Sequence, residues 1–384
     1  MQTVYLHFYF YEFVELNLTE TYMPRILFIA AHRPNRSPSQ RFRFEQYFSF
    51  LRQNGYVYFL SYLISEKNDQ LFYKPGSFHS KLYIFFRSAL KRRFDVWRCS
   101  KFDIVFIQRE AFMTGSTYFA RQMRKKNVKF VYDFDDAIWH FDVSEGNKNL
   151  GWLKNPGKTV KLISMADVVI AGNKYLADYA KHHNENVIII PTTIDTDYHR
   201  KINFSNTPKN KICIGWTGSI TTIKHFEHAV PLLKKLKDKY QNKIEIKVIG
   251  DVNYTNESIG VKGIEWNSET EIEDLSTIDI GIMPLPNDEW TKGKCGLKGL
   301  SYMAMEIPSV MSPVGVNTEI IQDGINGFLA DTDEEWIAKL SLLIESQELR
   351  EKIGKEARKT VIEKYSVESQ QQRYLDCFNA LLKR

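Results

Sequence analysis

Cysteine is scarce in this sequence, and what there is does not cluster. Cys99, Cys213, Cys295 and Cys377 stand far apart, with no CxxC pair among them. That spacing excludes a disulfide framework and a zinc knuckle, and it fits a reducing, cytoplasmic compartment. The nine His residues show no HExxH-type spacing; His182 with His183, and His225 with His228, come nearest to it. A metal site needs more converging ligands than that, so neither metal nor cofactor is expected. Long apolar runs are also missing. The aromatic stretch 1–22 is interrupted by Glu12 and Glu15 and lacks the basic start of a signal peptide. It can neither span a bilayer nor direct export, and it reads as an N-terminal extension before a functional start at Met23. No GxGxxG follows a first strand, which disfavours a dinucleotide-dependent oxidoreductase.

What is present is ordinary in amount and uneven in placement. Over 384 residues, 43 % are hydrophobic and 26 % charged, enough for two domains with their own cores. Residues 23–200 hold 28 Lys and Arg against 16 Asp and Glu, whereas residues 201–384 hold 24 against 27. A basic first half suggests an anionic partner there. The acidic balance of the second half argues against nucleic acid.

Strand and helix patterns alternate. Buried strands are expected at 26–30, 102–108, 128–132, 166–171 and 187–190, with helices at 117–126, 157–165 and 174–182 between the later ones. After a polar linker at 200–210 the alternation restarts. Strands are expected at 211–216, 244–249, 264–266, 279–283 and 309–311, and helices at 225–240, 269–277, 334–345 and 347–364. Such alternation gives parallel sheets covered on both faces. The predicted fold is α/β, with two Rossmann-like domains facing a cleft. The first spans 23–205, the second 206–365, and a terminal helix at 366–384 crosses back to the first. Ligands in such sheets sit beyond the carboxyl ends of the strands.

The stretch from Trp290 to Gly327 organises the rest. Lys292, Lys294 and Lys298 fall at or near a helix start, where unpaired N–H groups and the helix dipole already favour anions. Lysines at such a place make a phosphate site. Arg41 and Arg43, in the first turn of a helix expected to run to Leu51, also call for a neighbouring anion. Residues 81–98 mix seven large apolar side chains with six basic residues and one acid. That is the composition of a helix lying on an anionic membrane surface, or of a core-facing helix with a basic outer side.

In order and spacing, several motifs resemble family 4 retaining glycosyltransferases of the GT-B fold. Gly218 followed by Lys224 resembles the phosphate turn of that family. Residues 279–284 resemble the strand leading to its sugar site, 301–310 its Glu-Ala-Met-Ala helix and strand, and Gly315–Glu319 and Asp323–Phe328 its closing turns. The likeness covers about 170 residues well. In the first half, Asp135 and Asp136 lie near where the family carries a His-Asp pair. Two departures stand out: Gly293 and Ser301 occupy the positions of the paired glutamates, and Ser219 that of the phosphate arginine.

The resemblance implies a hexosyltransferase-like enzyme that moves a sugar from a nucleotide-sugar to a glycan or lipid-linked acceptor, as in polysaccharide assembly, with retention. Lys224 and Lys298, with the N–H groups at Gly218 and Ser219, would hold the departing diphosphate. Asp135 and Asp136 would orient the acceptor hydroxyl or act as base. Donor contacts are expected from Lys294, Gly296, Gly315, Val316 and Glu319, with Glu289 standing in for a missing glutamate. Work at the inner face of a membrane, through residues 81–98, fits this picture. The alternative is an inactive sugar-nucleotide-binding or scaffold subunit.

Overall fold

The computed structural model describes residues 22–74, 76–140, 155, 157–202 and 211–383. The expected extension, apart from Tyr22, and the linker core 203–210 lie outside the described residues. Six strands form the first sheet: β1 (Arg25–His32), β2 (Val57–Ile64), β3 (Ile104–Gln108), β4 (Lys129–Phe134), β5 (Val168–Ala171) and β6 (Val187–Ile189). Their spatial order is β2-β1-β3-β4-β5-β6, and every pairing is parallel.

The strands are near-continuous apolar runs because both faces are covered. Leu27, Ile29, Val105 and Ile107 point into one core. Their neighbours Ile26, Phe28, Ile104 and Phe106 point into the other. The last helix, Val367–Leu382, closes that second core with Tyr374, Leu375, Cys377 and Phe378. Tyr374 donates its hydroxyl to the Arg43 carbonyl at 2.5 Å, so the chain's end does return to the first half.

The second sheet contains β7 (Ile212–Thr217), β8 (Ile244–Ile249), β11 (Ile280–Met283), β12 (Ser309–Met311) and β13 (Phe328–Leu329), in the order β13-β12-β11-β7-β8. These pairings are parallel too. Between β8 and β11 sits a small antiparallel hairpin of β9 (Thr255–Asn256) and β10 (Val261–Lys262).

Several expectations change in detail. The strand expected at 264–266 reduces to a single bridge between Ile249 and Ile264. The helix expected over 225–240 is two, Ile223–Glu227 and Val230–Tyr240, and Pro231 opens the second, where a proline costs no hydrogen bond. The helix expected to reach Leu51 is likewise broken, into Pro38–Arg41, a 3₁₀ turn Glu45–Tyr47, and Phe48–Gln53.

The anions expected beside Arg41 and Arg43 turn out to be the protein's own. Arg43 is fully buried and pairs with Asp133 at 2.5 Å, while Arg41 pairs with Glu271 of the second half at 2.7 Å.

Candidate active site

The carboxyl ends of the two sheets face each other. β3 delivers Arg109, β4 delivers Asp135 and Asp136, and β5 delivers Gly172 and Asn173. From the second half, β7 leads to Gly218, β11 to the segment Asp288–Gly296, and β12 to Gly315. Direct contacts join the two walls. Asn173 caps its own helix by accepting from the Leu176 N–H at 2.8 Å, and its amide donates to the carbonyls of Gly293 at 3.2 Å and Lys294 at 3.0 Å. The Cys295 thiol donates to the Asp135 carbonyl at 3.2 Å. A Cβ on Gly293 would lie 2.6 Å from that of Ala137, so only glycine allows this approach. Ser301 is buried and returns its hydroxyl to the Leu297 carbonyl at 2.9 Å. Both positions of the missing glutamates are therefore packed against backbone.

The lysines of the organising segment separate into three environments. Lys292 ends a short helix, Glu289–Lys292, and bonds to Glu289 at 2.5 Å. The other Glu289 oxygen accepts from the Tyr175 hydroxyl of the first half at 2.8 Å. This carboxylate, expected to meet a sugar, ties the walls together here. Lys294 reaches across to both oxygens of Asp136, at 3.1 and 3.0 Å, and lies 5.1 Å from the Trp290 ring centre.

Lys298 alone sits in the first turn of the helix Leu297–Ala304, whose cap is Gly296 at φ 71°. It makes no ion pair among the described residues; its amine lies 5.4 Å from the centre of the buried Trp216 ring. Burial first, and Lys294 second, push its pKa down to about 7, with Asp136 opposing. The first intrahelical bond runs from the Leu300 N–H to the Gly296 carbonyl. The preceding N–H groups have no acceptor within the helix.

His225, which sequence reasoning considered only as a metal ligand, marks where the amines converge. It is buried, and its Nδ1 has no partner among the described residues. Burial lowers its pKa to about 4, and the charges of Lys298, Lys294 and Lys224 add to the effect, with Asp288 opposing. Lys224 itself is exposed. The clue in the sequence was adjacency: a histidine directly after the phosphate-turn lysine.

Other expected contacts are rearranged. The Gly218 N–H donates to the Ile249 carbonyl at 2.9 Å, and the Ser219 N–H donates to Thr222 Oγ1 at 3.0 Å within a capping box. Both N–H groups expected to face a diphosphate are already satisfied by the fold. Asp135 pairs with Arg109 at 2.7 Å, and Asp136 with Arg109 at 3.3 Å as well as with Lys294. Arg109 is also a residue that sequence reasoning missed. Burial works against its charge, but the two aspartates outweigh burial and its pKa is raised.

Gly315 takes φ 55° and packs against the Lys292 carbonyl. Val316 and Glu319 border a recess of about 220 Å³ with Asn173, Lys174 and Arg373. The three lysines do not line that recess. Cys295 is buried, and burial pushes its thiol up to about 12, so it is no nucleophile at neutral pH.

Residues 195–360 match the family model described as Glycosyl transferases group 1. That segment is similar to a group 1 glycosyltransferase domain. It holds both sides of the lysine cluster and the whole organising stretch. The fold of the entire chain is similar to that of a glycosyltransferase from Rickettsia africae, at 16 % identity and TM-score 0.67 over 95 % of this chain and 100 % of that one. It is similar to sucrose-phosphate synthase from Thermosynechococcus elongatus at 12 % identity and TM-score 0.70, over 94 % and 99 %. It is also similar to HepE from Anabaena in complex with UDP and glucose, at 14 % identity and TM-score 0.62, over 94 % and 100 %. At these identities the likeness establishes the GT-B arrangement of two facing parallel sheets. No curated protein matches the chain.

Proposed function

We propose that this protein is a retaining, hexosyltransferase-like enzyme that moves a sugar from a nucleotide-sugar to a glycan or lipid-linked acceptor. The observation that carries the reading is Lys298 in the open first turn of the helix Leu297–Ala304 with no ion-pair partner among the described residues; the charges of Lys294 and Lys224 bear on the same His225. In this reading the second half holds the donor and the first half the acceptor. As the bond from the sugar carbon to the phosphate oxygen lengthens, charge grows on the diphosphate. Lys298, Lys224 and the helix-start N–H groups hold that charge. A new bond forms from the acceptor oxygen to the same carbon, and the acceptor proton passes to the departing phosphate. The reading needs neither a protein nucleophile nor a metal. Gly296, Gly315, Val316 and Glu319 shape the donor side. Asp135 and Asp136 meet the acceptor after exchanging partners with Arg109 and Lys294.

The test is a thermal shift of the full chain with UDP, GDP and ADP, followed by transfer assays with the matching sugar donors. A bound nucleotide raises the melting temperature by mass action. The reading expects a shift that Lys298→Ala abolishes, and turnover with at least one donor. No shift with any nucleotide would overturn it. The packed-out positions Gly293 and Ser301 favour a second reading, a binding or scaffold subunit. A nucleotide shift with neither transfer nor donor hydrolysis would select that one.

A further inference from the structure

The helix Phe78–Arg98 is amphipathic the wrong way round for a helix packed on a soluble core. Its inward residues include Ser88, Arg92 and Asp95, all buried. Arg92 bonds to Asp95 at 2.8 Å and to the carbonyls of Ala111 at 2.5 Å and Ala30 at 2.7 Å. Asp95 also accepts from the Ser61 hydroxyl at 2.6 Å. With Ile84 and Phe85, this polar pin fixes the helix to the first sheet, and most of the large apolar side chains are left outside.

Phe78, Leu82, Tyr83, Phe86, Leu90, Phe94 and Trp97 are between 42 and 70 % exposed. At roughly 150–250 Å² per large side chain, they present on the order of 800 Å² of apolar surface, more than an ordinary monomer shows in one patch. The charge on the helix itself and on the helix beside it at Tyr118–Arg124 is mostly basic; the helix Glu66–Tyr73, which also packs against it, brings the exposed acid Glu66. Arg87 and Arg93 are exposed on the same helix, and the Lys101 amine lies 5.4 Å from the Trp97 ring centre. The adjoining helix Tyr118–Arg124 adds exposed Tyr118 and Arg121, and Lys125 and Lys126 follow it. Between residues 78 and 101 the sole acid is Asp95, and it is buried in the pin. No helix among the described residues is long and apolar enough to cross a membrane.

We propose that this face docks on an anionic lipid surface, with the aromatic stripe in the headgroup boundary and the arginines and lysines on the lipid phosphates. Aromatic and aliphatic side chains beside Lys and Arg are what such an interface selects. A second copy of the chain fits the face poorly, because a twofold contact would set basic rim against basic rim. The position of the helix deepens the functional reading, on which this step rests. Its inner side packs Phe85 against Phe112 at 5.3 Å. Phe112, with His32, Phe72, Tyr73 and Met113, lines an apolar recess past the carboxyl ends of β1 and β2. An acceptor carrying a lipid would have its sugar near the cleft and its lipid at the docked face.

The experiment is co-sedimentation of the full chain with vesicles of phosphatidylcholine, alone or mixed with phosphatidylglycerol, at low and high salt. Binding is expected to the anionic mixture only, and to weaken with salt. The combined variant Phe86→Ser, Leu90→Ser, Trp97→Ser should lose it. Arg87→Glu with Arg93→Glu should weaken binding more than about 25-fold, at about fivefold for each basic charge lost. All these side chains point outward, and unchanged thermal melting of the charge variant shows that the fold is kept. Equal sedimentation of wild type and variants, or no binding to anionic vesicles, overturns the proposal. So does a wild-type dimer on gel filtration that the triple variant converts to monomer, because the face would then belong to a second copy. UDP, GDP and ADP thermal shifts on the same samples keep the two readings apart. Nucleotide binding without vesicle binding sinks this inference alone; vesicle binding without any nucleotide shift sinks only the enzymatic reading.

Discussion

The inward-facing arginines of the first half and the lysines of the second half handle charge in opposite ways. The first half carries the positive excess, yet Arg43, Arg92 and Arg109 are each matched to carboxylates of the same half. What remains of its excess lies on the outer surface, much of it around the helix Phe78–Arg98. The second half has more acids than bases, yet it assembles Lys224, Lys294 and Lys298 around one histidine. Lys294 finds a carboxylate only by crossing to Asp136 of the first half. Net charge by segment therefore does not locate the proposed nucleotide site, and it leaves room for a different anionic partner on the first half. Arg43 and Arg92, buried with their carboxylates, are part of the fold; in the proposed function, an amine without such a partner is a place for a ligand.

The sharpest break of this contrast is in stability. Arg43→Ala should destabilise the protein by about 3–5 kcal/mol, since it leaves Asp133 buried and uncompensated; urea unfolding measures this. Lys298→Ala should do the reverse on both counts. Unfolding should be unchanged or slightly harder, while turnover falls on the order of 100-fold or more, the usual cost of one charge-stabilising group. A loss of stability comparable to that of Arg43→Ala would make Lys298 a structural residue.

The pH dependence follows from the same amine. The folded-state pKa of Lys298 is about 7, below its ordinary 10.5. Between those values the unfolded chain binds the extra proton, so this residue makes stability rise with pH from about 7 to 10.5. A diphosphate restores the proton. Nucleotide binding should therefore take up a proton at pH 8, and affinity should fall by up to about tenfold per pH unit above 7. Calorimetry in two buffers of different ionisation heat reads the proton directly, and its absence in Lys298→Ala assigns it.

Smaller effects sharpen the picture. Asp136→Asn frees Lys294 and should tighten UDP binding about fivefold, a gain of about 1 kcal/mol, while lowering turnover if Asp136 meets the acceptor. Weaker binding would show that the pair positions the wall. Ser219→Ala should cost about 1 kcal/mol of stability, the value of a lost helix cap, and leave nucleotide binding unaltered, because its N–H and hydroxyl serve the turn.

Much of the fold was legible because apolar runs and alternation report burial locally. β8 and β12 fall where the pattern places them, and the motifs from Gly218 to Phe328 lie in the segment that matches the glycosyltransferase group. The helix Glu66–Tyr73 went unread, since its apolar residues are mixed with polar ones; the edge strand β2 went unread although only Ser61 interrupts its run of aromatic and aliphatic residues. The site was legible in its residues and not in its pairings. Asp136 and Lys294 are 158 positions apart, and nothing local says that they touch. Gly293 reads as an ordinary loop glycine until Ala137 is set against it. Arg41 and Arg43 look alike in the chain; only the packed structure pairs one with Glu271 and buries the other with Asp133.

By itself, then, the sequence determined two parallel sheets, a terminal helix that returns to the first half, and a set of lysines at or near one helix start. Hydrophobic periodicity and turn chemistry act over a few residues, so they can be read along a line. Tertiary structure alone decided which cations would be neutralised, which N–H groups would be used up, and that the helix at 78–98 turns its aromatic side outward. Those outcomes depend on desolvation and on partners brought together by packing, and neither is a property of a residue's neighbours in the chain.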